Sequence, residues 1–207
     1  MKGKFIVFEG SDGSGKTTVI NELSKKFKEK NIEFETYREP GGTKISEDIR
    51  NIILDVNNKE LSAKCECLLF AAGRAQLIEE RIKPSLDDGK IILCDRFVMS
   101  SLLYQGIGRD LGIDNVKKIN DFATGGLKPD LTLFLDIDAK TALKRKRKNF
   151  TPDRLEEEDY KFHLKIYDGY KKLAKMYKDE IVTIDATKSI DEVVEESYKI
   201  ILDYIGE

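Results

Sequence analysis

The chain has 207 residues, a length typical of one ordinary domain that can bury a sizeable core. Its 36 Lys and Arg nearly balance its 38 Asp and Glu, so no global field would recruit nucleic acid or an anionic membrane, and we expect neither as a partner. Three cysteines without C-x-x-C spacing and one histidine argue against a disulfide framework or a zinc site. No apolar run is long enough for a signal peptide or a membrane span, which predicts a cytoplasmic protein.

The first predicted strand, at 5–8, leads directly into a phosphate-binding loop. Residues 10–17 read GSDGSGKT and match G-x-x-x-x-G-K-[ST]. Successive N–H groups of such a loop face one anion, and the following helix adds its positive dipole end. Lys16 is then a cation for the outer phosphates and Thr17 a hydroxyl for Mg²⁺. A ligand-free turn is the alternative, which the amphipathic helix after it disfavours. The residues expected to contact ATP are Gly10, Ser11, Asp12, Gly13, Ser14, Gly15, Lys16, Thr17 and Thr18.

Strands and helices alternate along the rest of the chain. Further strands are predicted at 33–38, 90–95, 131–135 and 181–184. Helices are predicted between them, among them a short one with Ile45, Ile49, Ile52 and Ile53 on one face, a long one at 63–86, and others at 97–105 and 115–123. This alternation predicts an α/β fold in which a five-stranded parallel sheet carries helices on both faces. Because nothing resembles a linker, we expect residues 1–207 to form a single domain.

Charged residues follow several of these strands. Asp95 ends an apolar strand, where open α/β sheets bind ligands and P-loop enzymes commonly orient Mg²⁺. Capping of the next helix is the alternative role. Arg96, directly after it, lies at the same edge. Arg38, Arg50 and Arg74 each also have a simple interpretation as surface charges.

The basic run at 144–148 has three interpretations: a nucleic-acid patch, a solvated helix face, or a mobile lid that brings an arginine to a transferring phosphoryl group. The near-neutral total charge disfavours the first. Gly13 and Ser14 are uncharged, so the P-loop itself holds no arginine. That absence favours the lid.

Six motifs, in this order and spacing, resemble the thymidylate kinase family of the bacterial type. They are FEGSDGSGKTT at 8–18, REPGGT at 38–43, FAAGRAQ at 70–76, CDRF at 94–97, SSLLYQG at 100–106 and DRLEEED at 153–159. The resemblance implies a P-loop kinase fold with a short lid at about 144–156 and a homodimer. It also implies transfer of the γ-phosphoryl group of ATP to dTMP with Mg²⁺, giving dTDP and ADP in dTTP biosynthesis.

The resemblance also implies roles on the acceptor side. Phe70 resembles the ring on which thymine stacks, and Arg74 the donor to its O4, which suits thymine or uracil and opposes the 4-amino group of cytosine. Ser101 and Gln105 match positions at the N3 side of the base. Pro40 resembles the residue near the 5-methyl group.

Sugar, phosphate and metal contacts follow from the same comparison of motifs. Tyr104 is similar to the residue against the deoxyribose, and Asp12 to the one at its 3′-OH. The residues implied at the dTMP phosphate are Arg50 and Arg96, with Arg38 and Glu39 beside them. Those implied near the metal are Thr17 and Asp95, with Glu9 as a further candidate. The lid arginines that match best are Arg145 and Arg154, with Arg147 a weaker match. The implied catalytic residues are Lys16, Asp95, Arg96, Arg145 and Arg154.

Two other functions are compatible with a P-loop. One is another small P-loop kinase that acts on a deoxynucleoside, a different monophosphate or a small metabolite. The other is a GTPase-type switch, which needs an N-K-x-D guanine reader late in the chain. The nearest match, Asn58-Lys59-Glu60-Leu61, has the wrong last residue and precedes the third strand.

Overall fold

A five-stranded parallel sheet forms the centre of the computed structural model, which describes residues 3–146 and 153–206. The strands are β1 (Lys4–Glu9), β2 (Phe34–Arg38), β3 (Ile91–Asp95), β4 (Leu131–Asp136) and β5 (Ile181–Asp185). Their order is β2-β3-β1-β4-β5, and every neighbouring pair is parallel. The predicted α/β fold with five parallel strands is thereby confirmed.

Helices connect the strands. They are α1 (Lys16–Glu29), α2 (Lys44–Leu54), α3 (Ala63–Leu77), α4 (Lys83–Asp87), α5 (Val98–Ser101), α6 (Ile113–Thr124), α7 (Ala139–Lys146), α8 (Tyr160–Met176) and α9 (Ile190–Ile205). The predicted helix at 63–86 is α3 and α4 joined by a π-helical segment, Ile78–Ile82. The predicted helix at 97–105 is α5 followed by a second π-helical segment, Leu102–Gly108. Within the described ranges, no helix is both long and apolar enough to cross a membrane.

Both faces of β1 are buried, as its apolar character requires. Successive side chains of a strand point to opposite faces. Ile6 and Phe8 therefore join a core cluster with residues of α1 and α9, while Phe5 and Val7 join one with residues of α3, the first π-helical segment and Phe97. Helices on the two faces hold β1 in the middle of the molecule.

The strand register brings the predicted site residues to one edge. Asp95 at the end of β3 lies opposite Phe8 of β1 and opposite Arg38 of β2. In a parallel sheet all these strand ends face the same side, where the P-loop also leaves β1. Residues that are far apart in sequence are thereby gathered around one cleft.

Candidate active site

The loop between β1 and α1 has the backbone of an anion-binding turn. Gly13 and Gly15 have φ angles of +85° and +96°, which favour glycine. A Cβ at Gly13 would also collide with the backbone of Ala142 in α7. No side chain among the described residues caps the N-terminus of α1, so its N–H groups face the loop. The loop is therefore built for a phosphate.

Lys16 is folded over this loop. Its Nζ donates to the carbonyl oxygens of Gly10 (3.0 Å) and Ser11 (3.2 Å). Burial, and the nearby positive charge of Arg96, lower the pKa of Lys16 to about 8. A phosphate beside the amine would raise this pKa, so Lys16 is fully protonated when a phosphate is bound.

Thr17 and Asp95 meet where the resemblance implies a metal. The Thr17 hydroxyl donates to Oδ2 of Asp95 at 2.8 Å, and the Lys16 Nζ lies 4.0 Å from its Oδ1. The alternative role of Asp95 as a helix cap fails, because the N-cap of α5 is Phe97, without a side-chain cap. A hydroxyl and a carboxylate are the oxygen ligands that Mg²⁺ prefers.

Glu9, a further candidate near the metal, lies beneath the cleft among protein donors. Its carboxylate is fully buried and accepts hydrogen bonds from Phe97 N (2.9 Å), Ser100 N (3.1 Å), Ser100 Oγ (2.6 Å) and Tyr170 Oη (2.9 Å). Both of its oxygens are thus occupied by protein donors. These contacts make Glu9 an anchor for the start of α5 below the cleft, and its candidate role near the metal stays a prediction.

Asp12 and Arg96 form the centre of the cleft. Arg96 Nη2 lies 2.6 Å from Asp12 Oδ1, and its Nη1 donates to Ser100 Oγ (3.0 Å) and Tyr170 Oη (3.2 Å). The Tyr104 hydroxyl donates to the other Asp12 oxygen at 3.2 Å. Burial raises the pKa of Tyr104, so the phenol stays protonated and donates. Arg96 has a φ of +72°, a strained conformation of the kind that clusters at functional sites.

A cavity of about 350 Å³ opens beside this pair, and every predicted acceptor residue lines it. These residues are Asp12, Arg38, Glu39, Pro40, Arg50, Phe70, Arg74, Arg96, Ser101, Tyr104 and Gln105. Gly13, Gly15, Lys16, Thr17, Thr18 and Asp95 line the same cavity, so the acceptor side and the P-loop are continuous. Asp153, Leu155 and Glu156 line it as well, so residues from all six motifs meet at one place.

Two guanidinium groups meet at one wall of the cavity. Arg38 Nη1 and Arg50 Nη1 both donate to the carbonyl oxygen of Pro40, at 2.7 and 2.9 Å. Burial and the neighbouring Arg38 lower the pKa of Arg50. Cations held this close together favour an anionic ligand.

Arg74 also lines the cavity, and acceptors from several segments hold it. Its Nε donates to Glu39 Oε2 (2.8 Å), Nη1 to Ser101 Oγ (3.1 Å) and to Asn120 Oδ1, and Nη2 to Phe97 O (3.0 Å). Nη2 also lies 2.5 Å from Glu39 Oε2. Four of its N–H groups thus have an acceptor, and a carboxylate balances its charge. These contacts hold the guanidinium in one position.

Comparison with known proteins decides the family. The thymidylate kinase family model matches residues 8–197. The chain belongs to the thymidylate kinase family. It is 53% identical to the thymidylate kinase of Lactobacillus helveticus, over 94% of this chain and 93% of that protein. Over 99% of both chains it is 47% identical to the thymidylate kinase of Geobacillus sp.. The thymidylate kinase of Finegoldia magna is 49% identical, over 95% of this chain and 97% of its own length.

The lid arginines implied by the thymidylate kinase resemblance are not brought together. Arg145 donates to Ala186 O at 2.8 Å and lines a second cavity, of about 420 Å³, on the far side of the P-loop. Arg154 donates to Ile53 O (2.8 Å) and to the buried carboxylate of Glu66 (2.6 Å), outside both cavities. Arg147 lies outside the described residues.

The sequence patterns did not identify some of the residues that lie at or behind this thymidylate kinase site. Glu66 and Asn120 are buried polar residues on helices, and each contacts a predicted base-reading residue, Gln105 or Arg74. Tyr170 lies among the apolar residues of α8, and its ring is buried. Its hydroxyl, however, reaches the cleft through Glu9 and Arg96. Only the tertiary fold shows these contacts.

Proposed function

We propose that this chain transfers the γ-phosphoryl group of ATP to dTMP, giving dTDP and ADP. The observation that carries the proposal is the single cavity in which all predicted acceptor residues adjoin Lys16, Thr17 and Asp95. A cavity of this size suits one nucleoside monophosphate. Family membership supports the same reaction.

The base lies at the end formed by Phe70, Arg74, Ser101 and Gln105. Phe70 supplies a half-buried ring for stacking. Arg74 is placed to donate a hydrogen bond to O4 of the base. Because its N–H groups already have acceptors, O4 either shares one N–H group with a protein acceptor or displaces the Ser101 hydroxyl. This arrangement favours a carbonyl at C4 over the amino group of cytosine.

The phosphate of dTMP lies among Arg38, Arg50 and Arg96, beside the P-loop. One of its oxygens attacks Pγ in line, the bond from Pγ to the β,γ-bridging oxygen breaks, and ADP leaves with that electron pair. The attacking oxygen is ionised at neutral pH, so no general base is needed. Catalysis comes from positioning and from cations that stabilise the developing charge.

Thr17 and Asp95 would hold Mg²⁺ together with the phosphates of ATP. No cluster of three or more His, Cys, Asp or Glu suited to a metal occurs in residues 3–146 and 153–206. That fits a cation held by one carboxylate plus substrate oxygens, as Mg²⁺ commonly is. When bound, the metal neutralises charge on the β- and γ-phosphates.

The nucleoside of ATP lies in the second cavity, beside Arg145 and Ala186. This cavity is lined by Gly13, Ser14, Gly15 and Thr18 on the other side, so it adjoins the phosphate loop. We therefore assign Arg145 to the donor nucleotide. Segment 144–156 remains the lid in this proposal, and the cation that reaches the transferring group comes from it.

The protein acts as a cytoplasmic homodimer. Ile45, Ile52, Leu68 and Phe122 are 51%, 47%, 56% and 91% exposed, on α2, α3 and α6, which pack side by side. Large exposed apolar side chains on adjacent helices are typical of an interface, and a second copy can bury the same face on both subunits. Free cysteines, Cys65 among them, suit a reducing cytoplasm.

A panel of acceptors tests the proposed activity. Purified protein with Mg·ATP is offered dTMP, dUMP, dCMP, AMP or deoxythymidine, and ADP formation is followed. We expect dTMP to give the highest kcat/KM and dUMP a lower one. A preference for dCMP or AMP would refute the placement of the base, and a preference for deoxythymidine the placement of the phosphate.

A further inference from the structure

Glu66 lies behind the base end of the cavity, without lining it. Its side chain is completely buried, and donor groups of three residues surround it. Oε1 accepts from Gln105 Nε2 at 2.9 Å and from Arg109 Nε at 3.4 Å. Oε2 lies 2.6 Å from Arg154 Nη2 and 3.3 Å from Arg109 Nη2. Two guanidinium groups therefore face one buried carboxylate.

Chemistry then determines which way the Gln105 amide points. A carboxylate paired with two guanidinium groups can only accept hydrogen bonds, so the amide must turn its NH₂ group toward Glu66. Gln105 is 1% exposed and lines the cavity. Its Oε1 takes no hydrogen bond from the described part of the chain. The oxygen is left as the polar atom that Gln105 offers to a ligand.

We infer that Glu66 is a positioning residue for base choice, because it fixes the Gln105 amide with its oxygen toward N3 of the base. An acceptor at this place pairs with the N3–H of thymine or uracil. Cytosine has a lone pair at N3, which an oxygen repels. This inference rests on the proposed placement of the base against Gln105.

The variant Glu66→Gln tests the role directly. The substituted side chain has one oxygen and one NH₂ group, and its oxygen is held by the charged Arg154 and Arg109. Its NH₂ then faces Gln105, whose amide reverses and offers NH₂ to the base. We expect kcat/KM for dTMP divided by kcat/KM for dCMP to fall roughly tenfold or more, mainly through the KM values. An unchanged ratio in the folded variant would overturn the inference.

Glu158→Gln is the matched control. Glu158 also pairs with Arg109, at 2.5 Å, and the substitution makes the same change of charge, but Glu158 has no contact with Gln105. We expect the ratio to stay at the wild-type value. An equal fall in both variants would mean that charge near Arg109, not the orientation of the amide, sets the ratio.

Gln105→Leu separates this inference from the proposed function. If the base lies elsewhere, Gln105→Leu leaves the KM for dTMP unchanged, and the placement itself fails. If Gln105→Leu raises that KM while Glu66→Gln leaves the ratio intact, only the role of Glu66 fails. Melting temperatures of all variants identify losses due to unfolding.

Amide NMR on the wild-type protein gives a second measurement, which holds even if Glu66→Gln does not fold. Gln105 NH₂ protons that face Glu66 should exchange slowly with solvent, both before and after dTMP binds. If the Gln105 NH₂ protons exchange rapidly in the free protein and slowly once dTMP is bound, the NH₂ group faces the cavity. That result would contradict the inference.

Discussion

The Arg96 guanidinium and the Asp12 carboxylate lie 2.6 Å apart although 84 residues separate them in the chain. Asp12 belongs to the P-loop and Arg96 follows β3, so this ion pair joins the donor side of the site to the acceptor side. Arg96 is expected to contact the dTMP phosphate, and Asp12 is expected to contact the 3′-OH of the sugar. The pair holds both groups in place before substrate binds.

Arg96→Lys should therefore lower kcat/KM for dTMP by about 100-fold. One ammonium group cannot contact Asp12, Ser100 and Tyr170 with the geometry of a planar guanidinium. Steady-state kinetics with varied dTMP measures the loss, and the KM for ATP serves as the internal control. A variant with wild-type kcat/KM for dTMP would show that the phosphate is not held by Arg96.

Lys16→Ala should remove most turnover, by about 100-fold or more, and leave the fold intact. Its ammonium group hydrogen-bonds two loop carbonyls and lies 4.0 Å from Asp95, and Lys16 belongs to none of the apolar core clusters. Turnover at saturating ATP and dTMP, with circular dichroism as the test of folding, measures the effect. Near-normal turnover would rule out the proposed mechanism.

The lowered pKa of Lys16 predicts that ATP binding takes up a proton near pH 8. In the free protein the pKa is about 8, so the amine is partly neutral at that pH, and the phosphates raise the pKa on binding. ATP affinity should accordingly weaken as the pH rises above about 8. Calorimetry in two buffers of different ionisation enthalpy detects the uptake. Lys16→Arg, which stays charged, should abolish it, and equal uptake in that variant would assign the proton elsewhere.

Phe70→Ala should raise the KM for dTMP roughly tenfold or more, because a stacked base loses its aromatic partner. The KM for ATP should not change, since Phe70 lines only the acceptor cavity of the two described here. Kinetics with each substrate varied in turn compares the two constants. Equal changes in the KM for dTMP and the KM for ATP would indicate that the substitution distorts the whole site, and would contradict a specific loss of stacking.

Phe122→Glu should convert the dimer into monomers, because a charge replaces the most exposed large apolar side chain of the proposed interface. Light scattering coupled to size-exclusion chromatography gives the mass directly. Tyr204→Glu is the control, since Tyr204 is 42% exposed on α9, which packs against α1 and β5. A wild-type protein that elutes as a monomer would exclude the homodimer.

The sequence was sufficient to predict the sheet and most of the cleft. The P-loop, Asp95 and Arg96 stand directly at strand ends, and parallel strands bring their carboxyl ends together, so local pattern and topology determine their place. The same holds for Arg38, which ends β2 beside Asp95.

Contacts made across the fold could not be predicted in this way. The partner of Arg74 on α6, Asn120, is 46 residues away on another helix. Arg154 follows a basic run that suggested a lid, yet its charge is paired with the buried Glu66. The isoleucines of α2 form one face in the sequence pattern, but Ile45 and Ile52 are exposed while Ile53 is buried. Amphipathic spacing identifies an apolar face without indicating what covers it.

Phosphoryl transfer from labelled ATP tests the central claim most directly. Protein is incubated with ATP labelled in its γ-phosphate, Mg²⁺ and dTMP, and the products are separated. We predict that the label appears in the β-phosphate of dTDP, in an amount equal to the ADP formed, and that both products are lost in Lys16→Ala. Release of the label as inorganic phosphate, with no labelled dTDP, would contradict the account.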